Sequence, residues 1–227
     1  MSYVTKSITL VSFCIILASA FSYCRSLEQK TKADQVLSPM KLYVIVGSVR
    51  PTGTGKKIAE NVKSMINHRS ETTVEIVEIV DYNLPFYTNE QSPASRKDPI
   101  TDPILKRWSD KIEQADGYII VSPEYNAGYP ASLKNALDSL FTEWNNKPIA
   151  FVGYSGGQSG GASTIAQLRQ VARYGLEMIP VATDVKIPQS WKAFDRHGKL
   201  VHAEAIEAEL NILVDQLLEA RSVAKKQ

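Results

Sequence analysis

Three short segments of the chain hold residues whose types and spacing could do chemistry. The first is Gly47-Ser48-Val49-Arg50-Pro51-Thr52-Gly53-Thr54-Gly55. Its backbone N–H groups, added to those of a following helix start, would form an anion site. Ser48, Thr52 and Thr54 offer hydroxyl donors, Gly53 lets the backbone come close, and Arg50 could clamp a phosphate with two parallel hydrogen bonds. The segment is not a P-loop, because Gly55-Lys56 is followed by Lys57 rather than Ser or Thr. Nor is it G-x-G-x-x-G, since Ile58 stands at the third glycine position. A glycine-rich turn without a ligand is the plain alternative.

The second segment is Ser122-Pro123-Glu124-Tyr125-Asn126-Ala127-Gly128-Tyr129-Pro130. Pro123 and Gly128 fix the backbone, Tyr125 offers a flat ring face, and Glu124 and Asn126 set polar groups beside it. That combination suits a planar heterocycle with polar edges; an ordinary surface turn is the alternative. The third is Tyr154-Ser155-Gly156-Gly157-Gln158-Ser159-Gly160-Gly161, whose glycines let backbone approach a ligand closely. Gly153 to Gly157 also fits G-x-S-x-G, the nucleophile elbow of α/β-hydrolases. Ser155 with Asp184 or Asp195, and His197 or His202, would give the Ser…Asp…His order. That leaves the first two loops without a role, whereas one flat phosphorylated ligand uses all three.

Apolar periodicity supplies the elements that position these loops. Leu42 to Val46 is a continuous apolar run ended by Gly47, as in a strand buried on both faces. Ile58, Val62, Met65 and Ile66 recur at helical spacing. A second strand follows over Val74–Ile79, then a long polar stretch from Asp81 to Pro103. Ile104, Trp108 and Ile112 mark a helix, Tyr118–Val121 a strand, and Leu133 to Trp144 a helix stripe. Pro148–Tyr154 is a fourth strand, Ile165–Ala172 a helix, Glu177–Ile187 a broken fifth strand, and Ile206–Leu218 a closing helix. Strands alternating with helices make a doubly wound parallel sheet. In such sheets ligands bind beyond the carboxyl ends of the strands, where all three segments fall.

Composition excludes several classes. Of the 26 Lys and Arg, four precede Met40, and of the 24 Asp and Glu, two do, so the remainder is balanced in charge. A balanced core carries no footprint for nucleic acid. Cys14 and Cys24 both precede Met40, and His68, His197 and His202 are scattered, so no metal site is expected. Residues 7–21 are mostly apolar, follow Lys6 and end in Ala18-Ser19-Ala20, like a short secretory signal peptide and too short for a typical membrane span. Alternatively, residues 1–39 are a mis-assigned extension. Met40, directly before the first strand, is then the start of a cytoplasmic domain spanning 40–227.

GSVRPTGTG after the first strand, SPEYNAGYPASLKNALD after the third and GYSGGQSGG after the fourth resemble the NADPH-dependent FMN reductase family. The resemblance implies a flavodoxin-like doubly wound five-stranded parallel sheet with helices on both faces. It implies FMN, with NADPH or NADH as co-substrate and a small-molecule acceptor such as a flavin or quinone, in a homodimer or homotetramer. Ser48, Arg50, Thr52, Gly53 and Thr54 then match the phosphate loop. Pro123, Glu124, Tyr125 and Asn126 match the segment along the ribityl chain and ring. Ser155, Gly156 and Gly157 match the loop at the ring's other edge. Related phosphate loops often carry Ser-x-Asn or a second Arg where this chain has Thr54-Gly55-Lys56. Leu84-Pro85-Phe86-Tyr87 would sit in a lid. The cofactor carries the chemistry, so no catalytic side chain is expected and the kinetics would be ping-pong. A flavodoxin-type electron carrier is the non-enzymatic alternative.

Overall fold

The computed structural model describes residues 38–51 and 53–224. The expected extension over residues 1–39 lies almost wholly outside them, and so does Thr52. The sheet is entirely parallel. Its strands are β1 (Met40–Val46), β2 (Thr72–Glu78), β3 (Gly117–Pro123), β4 (Pro148–Tyr154), β5 (Ile179–Pro180) and β6 (Val185–Ile187). They lie in the order β2-β1-β3-β4-β5, the flavodoxin-like order, and β6 also pairs with β4.

β5 and β6 share the fifth position. β5 pairs with β4 from Pro148 and β6 from Val152, so the break expected between Glu177 and Ile187 splits one strand into two. Arg169 spans the gap. Its guanidinium donates to the carbonyls of Val181 (2.6 Å) and Ala182 (2.9 Å) and pairs with Asp184 at 2.7 Å.

Helices cover both faces: α1 (Thr54–Ile66), α2 (Pro103–Glu113), α3 (Ala131–Asp138), α4 (Ala162–Gln170) and α5 (Ala203–Ala224). Alternation along β1 sorts the core. Leu42, Val44 and Val46 face Ile58 and Val62 of α1 and Leu210, Leu213 and Leu217 of α5. Tyr43 and Ile45 face the other side, with Trp108 of α2, Leu133 of α3 and Leu168 of α4. On that side Trp144 packs edge-on against Trp108 and Tyr118, at centroid separations of 6.0 and 4.9 Å.

The apolar stripe from Leu133 to Trp144 is not one helix. α3 ends at Asp138, where the Ser139 hydroxyl donates back to the Asn135 carbonyl at 2.6 Å. The Glu143 carboxylate then accepts from the Phe141 N–H, which holds the turn that follows. Leu140 and Trp144 are buried regardless, so their apolar spacing reported burial rather than helix. The long connection after β2 is fastened to α3. Asn135 accepts from the Tyr87 N–H (3.2 Å) and donates to the carbonyls of Leu84 (3.3 Å) and Pro85 (2.9 Å).

No helix among the described residues is long and apolar enough to cross a membrane.

Candidate functional site

The three loops meet at the carboxyl ends of β1, β3 and β4. There Ser48, Arg50, Thr54, Pro123, Glu124, Tyr125, Ser155 and Gly156 line one cleft of about 230 Å³. Tyr154 and Ser190 complete it. Gly53 lines a second recess of about 230 Å³, which shares Ser48 and Arg50 with the first. Asn126, which is exposed, and Gly157 are not among the residues that line the first cleft. Two larger recesses, about 370 and 460 Å³, include no residue of the three loops.

The first loop ends in an open helix start. Gly53, at φ 69°, turns the chain into α1 in a left-handed conformation that glycine adopts without penalty. It brings no capping side chain, and the first turn holds no acidic residue. No side chain among the described residues accepts from the N–H groups of Thr54, Gly55 or Lys56. Those donors, and the positive end of the helix dipole, could hold an anion.

Arg50 stands beside them. Its guanidinium lies 4.4 Å from the centre of the Tyr125 ring and has no carboxylate partner among the described residues. Ser48 joins the two loops: its hydroxyl accepts from the Arg50 N–H (3.2 Å) and bonds the Tyr125 hydroxyl (3.2 Å).

The second loop is a tight turn. Tyr125 and Gly128 exchange backbone hydrogen bonds of 2.8 and 3.0 Å, with Asn126 and Ala127 between them at φ 50° and 61°. A left-handed alanine costs roughly 1–2 kcal/mol, so the turn needs outside support. α4 gives it: Thr164 donates to the Gly128 carbonyl (2.8 Å) and Gln167 to that of Ala127 (2.9 Å).

Glu124 is the only carboxylate among the cleft-lining residues, and it is engaged within the protein. One oxygen accepts from the Ser163 N–H in the first turn of α4 (3.1 Å), the other from the Ser159 hydroxyl (3.0 Å). It therefore caps α4, whose own N-cap Gly161, at φ 90°, has no side chain to do so.

Ser155 is 6% exposed, and its hydroxyl bonds the Gly157 carbonyl (3.2 Å) and the Ser159 hydroxyl (3.0 Å). No triad forms around it. Asp184 is held by Arg169, Asp195 accepts from the N–H groups of His197 and Lys199, and His197 faces Arg196. The hydrolase alternative therefore fails: the elbow spacing here serves a loop whose hydroxyl is used internally.

Tyr154 opens the third segment without an expected site role, and Ser190 lies outside all three segments. Tyr154 is the last residue of β4, and burial pushes its hydroxyl up to about 12. Ser190 arrives through the pairing of β6 with β4, and its N–H donates to the Ser155 carbonyl at 2.8 Å. Alternation in the fourth strand could have pointed to Tyr154; no local signal marks Ser190.

The donor set fits a phosphorylated planar cofactor. An anion would find unclaimed N–H groups, hydroxyls and an unpaired guanidinium. A ring could set a face on Tyr125 and an edge at Gly156, which has no neighbouring atom on its Cβ side. The cleft is smaller than the roughly 300–1,000 Å³ of enclosed ligand pockets. A flat ligand there would keep one face open.

Comparisons with known proteins bear on the family and the fold. The family model for NADPH-dependent FMN reductase matches residues 40–192. An NAD(P)H-dependent FMN reductase of Schizosaccharomyces pombe is 37% identical over 150 residues, 66% of this chain and 74% of that protein. One from Saccharomyces cerevisiae is 36% identical over 159 residues, covering 66% and 82%. A 2-hydroxy-1,4-benzoquinone reductase of a Burkholderia species is 30% identical over 167 residues, covering 71% and 86%. Among solved structures, a flavoenzyme NAD(P)H:(acceptor) oxidoreductase from Paracoccus denitrificans superposes with a TM-score of 0.66. It covers 80% of this chain and 98% of its own, and at 24% identity it speaks for the fold.

Proposed function

The chain belongs to the NADPH-dependent FMN reductase family, and we propose that its FMN lies across the cleft with the phosphate at the start of α1. It is an FMN-dependent NAD(P)H oxidoreductase rather than a hydrolase or a simple electron carrier. When bound, FMN supplies the hydride and electron transfer. The observation that supports this placement is the uncapped first turn of α1 beside Arg50, a guanidinium without a carboxylate.

The chain's own residues bind and orient. Ser48 and Thr54 donate hydroxyls at the phosphate end, and Arg50 adds a charge-assisted pair. Tyr125 walls one face of the ring and the Ser155–Gly156 backbone runs along its edge, which leaves the second face open. Glu124 works behind them, tying the second loop to α4 so that both walls keep their spacing. Donor and acceptor use the same open side in turn, which gives ping-pong kinetics. A quinone or another small oxidant fits the acceptor role, because an open wall selects little by shape.

Purified protein supplied with flavin should be yellow with one FMN per chain, and NADPH should bleach it without oxygen. A colourless protein that does not take up added FMN would overturn the proposal.

A further inference from the structure

Of the three tryptophans, Trp108 and Trp144 are fully buried, but Trp191 is 74% exposed. A single exposed aromatic needs no explanation by itself. Trp191 differs in being fixed at the rim of the cleft. It sits in the short turn Ser190–Lys192, directly after the cleft-lining Ser190. Gln189 donates its N–H to the Gly157 carbonyl (2.9 Å) and Ser190 to that of Ser155 (2.8 Å), which stitches the turn to the third loop. Gln189 takes a left-handed φ of 47° to make the corner. The turn that carries the exposed ring is thus fixed beside a cleft-lining residue.

The charge around it narrows what it would hold. The Lys192 ammonium lies 5.4 Å from the centre of the Trp191 ring system. Lys186 leaves β6 beside Gly160 of the third loop. Neither lysine makes an ion pair with a carboxylate among the described residues. Asp195, the acid nearest Lys192 in sequence, is occupied by two N–H groups of its own turn, and Asp184, nearest Lys186, pairs with Arg169. A flat ring with uncommitted cations suits a heterocycle carrying phosphates. A neutral acceptor would have no use for the lysines, and the FMN phosphate is assigned to the opposite loop.

We propose that Trp191 and Lys192 form the subsite for the adenosine phosphate end of the nicotinamide dinucleotide, with adenine on the indole and a phosphate at Lys192. This rests on the FMN reductase function above and adds the residues that would recognise the electron donor. Trp191 is then a specificity residue for the donor half-reaction alone.

Adenosine 2′,5′-bisphosphate, which has no redox group, is the probe. Titrated into the FMN-loaded protein, it should saturably quench the emission of Trp191, the exposed indole. By calorimetry, Trp191→Ala should weaken its binding about tenfold, while Trp191→Phe, which keeps a ring, stays within about threefold of the parent. Lys192→Ala should weaken it several-fold at low salt and little at high salt. In turnover, Trp191→Ala should raise KM for NADPH and leave kcat, KM for 1,4-benzoquinone and FMN affinity unchanged. Unaltered bisphosphate binding in Trp191→Ala would overturn the proposal, and so would a rise in quinone KM in place of the NADPH effect. A parent that takes up no FMN contradicts the cofactor placement instead, and the bisphosphate titration still tests this subsite.

Discussion

α1 and α4 begin alike and are completed differently. Each starts on a left-handed glycine, Gly53 or Gly161, that has no capping side chain, and neither carries an acid in its first turn. For α4 the missing anion comes from the protein: Glu124, from another loop, accepts from the Ser163 N–H. For α1 no side chain among the described residues accepts from the first-turn N–H groups: Glu78 pairs with the Lys56 ammonium instead, and Arg50 stands beside the start without a carboxylate partner. A helix start left open beside a guanidinium attracts a negative ligand. The contrast sets a helix end capped within the protein against one proposed to take the phosphate.

Removing Arg50 tests that contrast most severely. The residue is exposed, so the loss is set by one charge-assisted bond of about 1.5–3 kcal/mol rather than by a buried ion pair. Arg50→Ala should weaken FMN roughly ten- to hundredfold, read by quenching of flavin fluorescence, with turnover at saturating FMN within a few-fold of the parent. Riboflavin, lacking the phosphate, should bind both proteins alike. Parental FMN affinity in the variant would place the anion elsewhere in the loop.

The Glu124 side of the comparison predicts a smaller and different loss. Glu124→Ala leaves α4 uncapped and should lower unfolding stability by about 1–2 kcal/mol, read by denaturant titration. Glu124→Gln, whose carbonyl can still accept from Ser163, should recover most of it. FMN affinity should fall less than in Arg50→Ala. A Glu124→Ala protein of parental stability that has lost FMN as completely as Arg50→Ala would erase the distinction between the two helix starts.

The sequence made the scaffold legible and left the division of labour among the loops hidden. β1, β3 and β4 are continuous apolar runs because both of their faces are buried, and α1, α2 and α5 show a clear stripe. α3 misled because Leu140 and Trp144 are buried from a turn, where spacing carries no helical meaning. Glu124 reads as a ligand-facing residue in its own loop. Only the arrival of α4, some forty positions on, turns its carboxylate to Ser163. Ser190 depends on β6 reaching β4, a tertiary event that neighbouring residues do not announce.

The smallest expected effect concerns how Arg50 is held ready. Its guanidinium rests on the Tyr125 ring, while Ser48 bonds both the Arg50 N–H and the Tyr125 hydroxyl. A cation over an aromatic face at an exposed site contributes about 0.5–1 kcal/mol, enough to bias the side chain toward the α1 start before the phosphate arrives. Tyr125 also walls the ring, so Tyr125→Leu alone mixes the two roles, and a double-mutant cycle with Arg50→Ala separates them. If Tyr125 only contacts the flavin, Tyr125→Leu costs the same with or without Arg50 and the coupling is zero. If it positions Arg50, the cycle should show about 0.5–1 kcal/mol of coupling for FMN and none for riboflavin, which gives the guanidinium nothing to clamp. Tyr125→Phe, which keeps the ring and loses only the hydroxyl's bond to Ser48, should retain the coupling. Equal coupling for FMN and riboflavin would show that the stack serves the ring and not the phosphate, leaving the open start of α1 to hold its anion without prior ordering of Arg50.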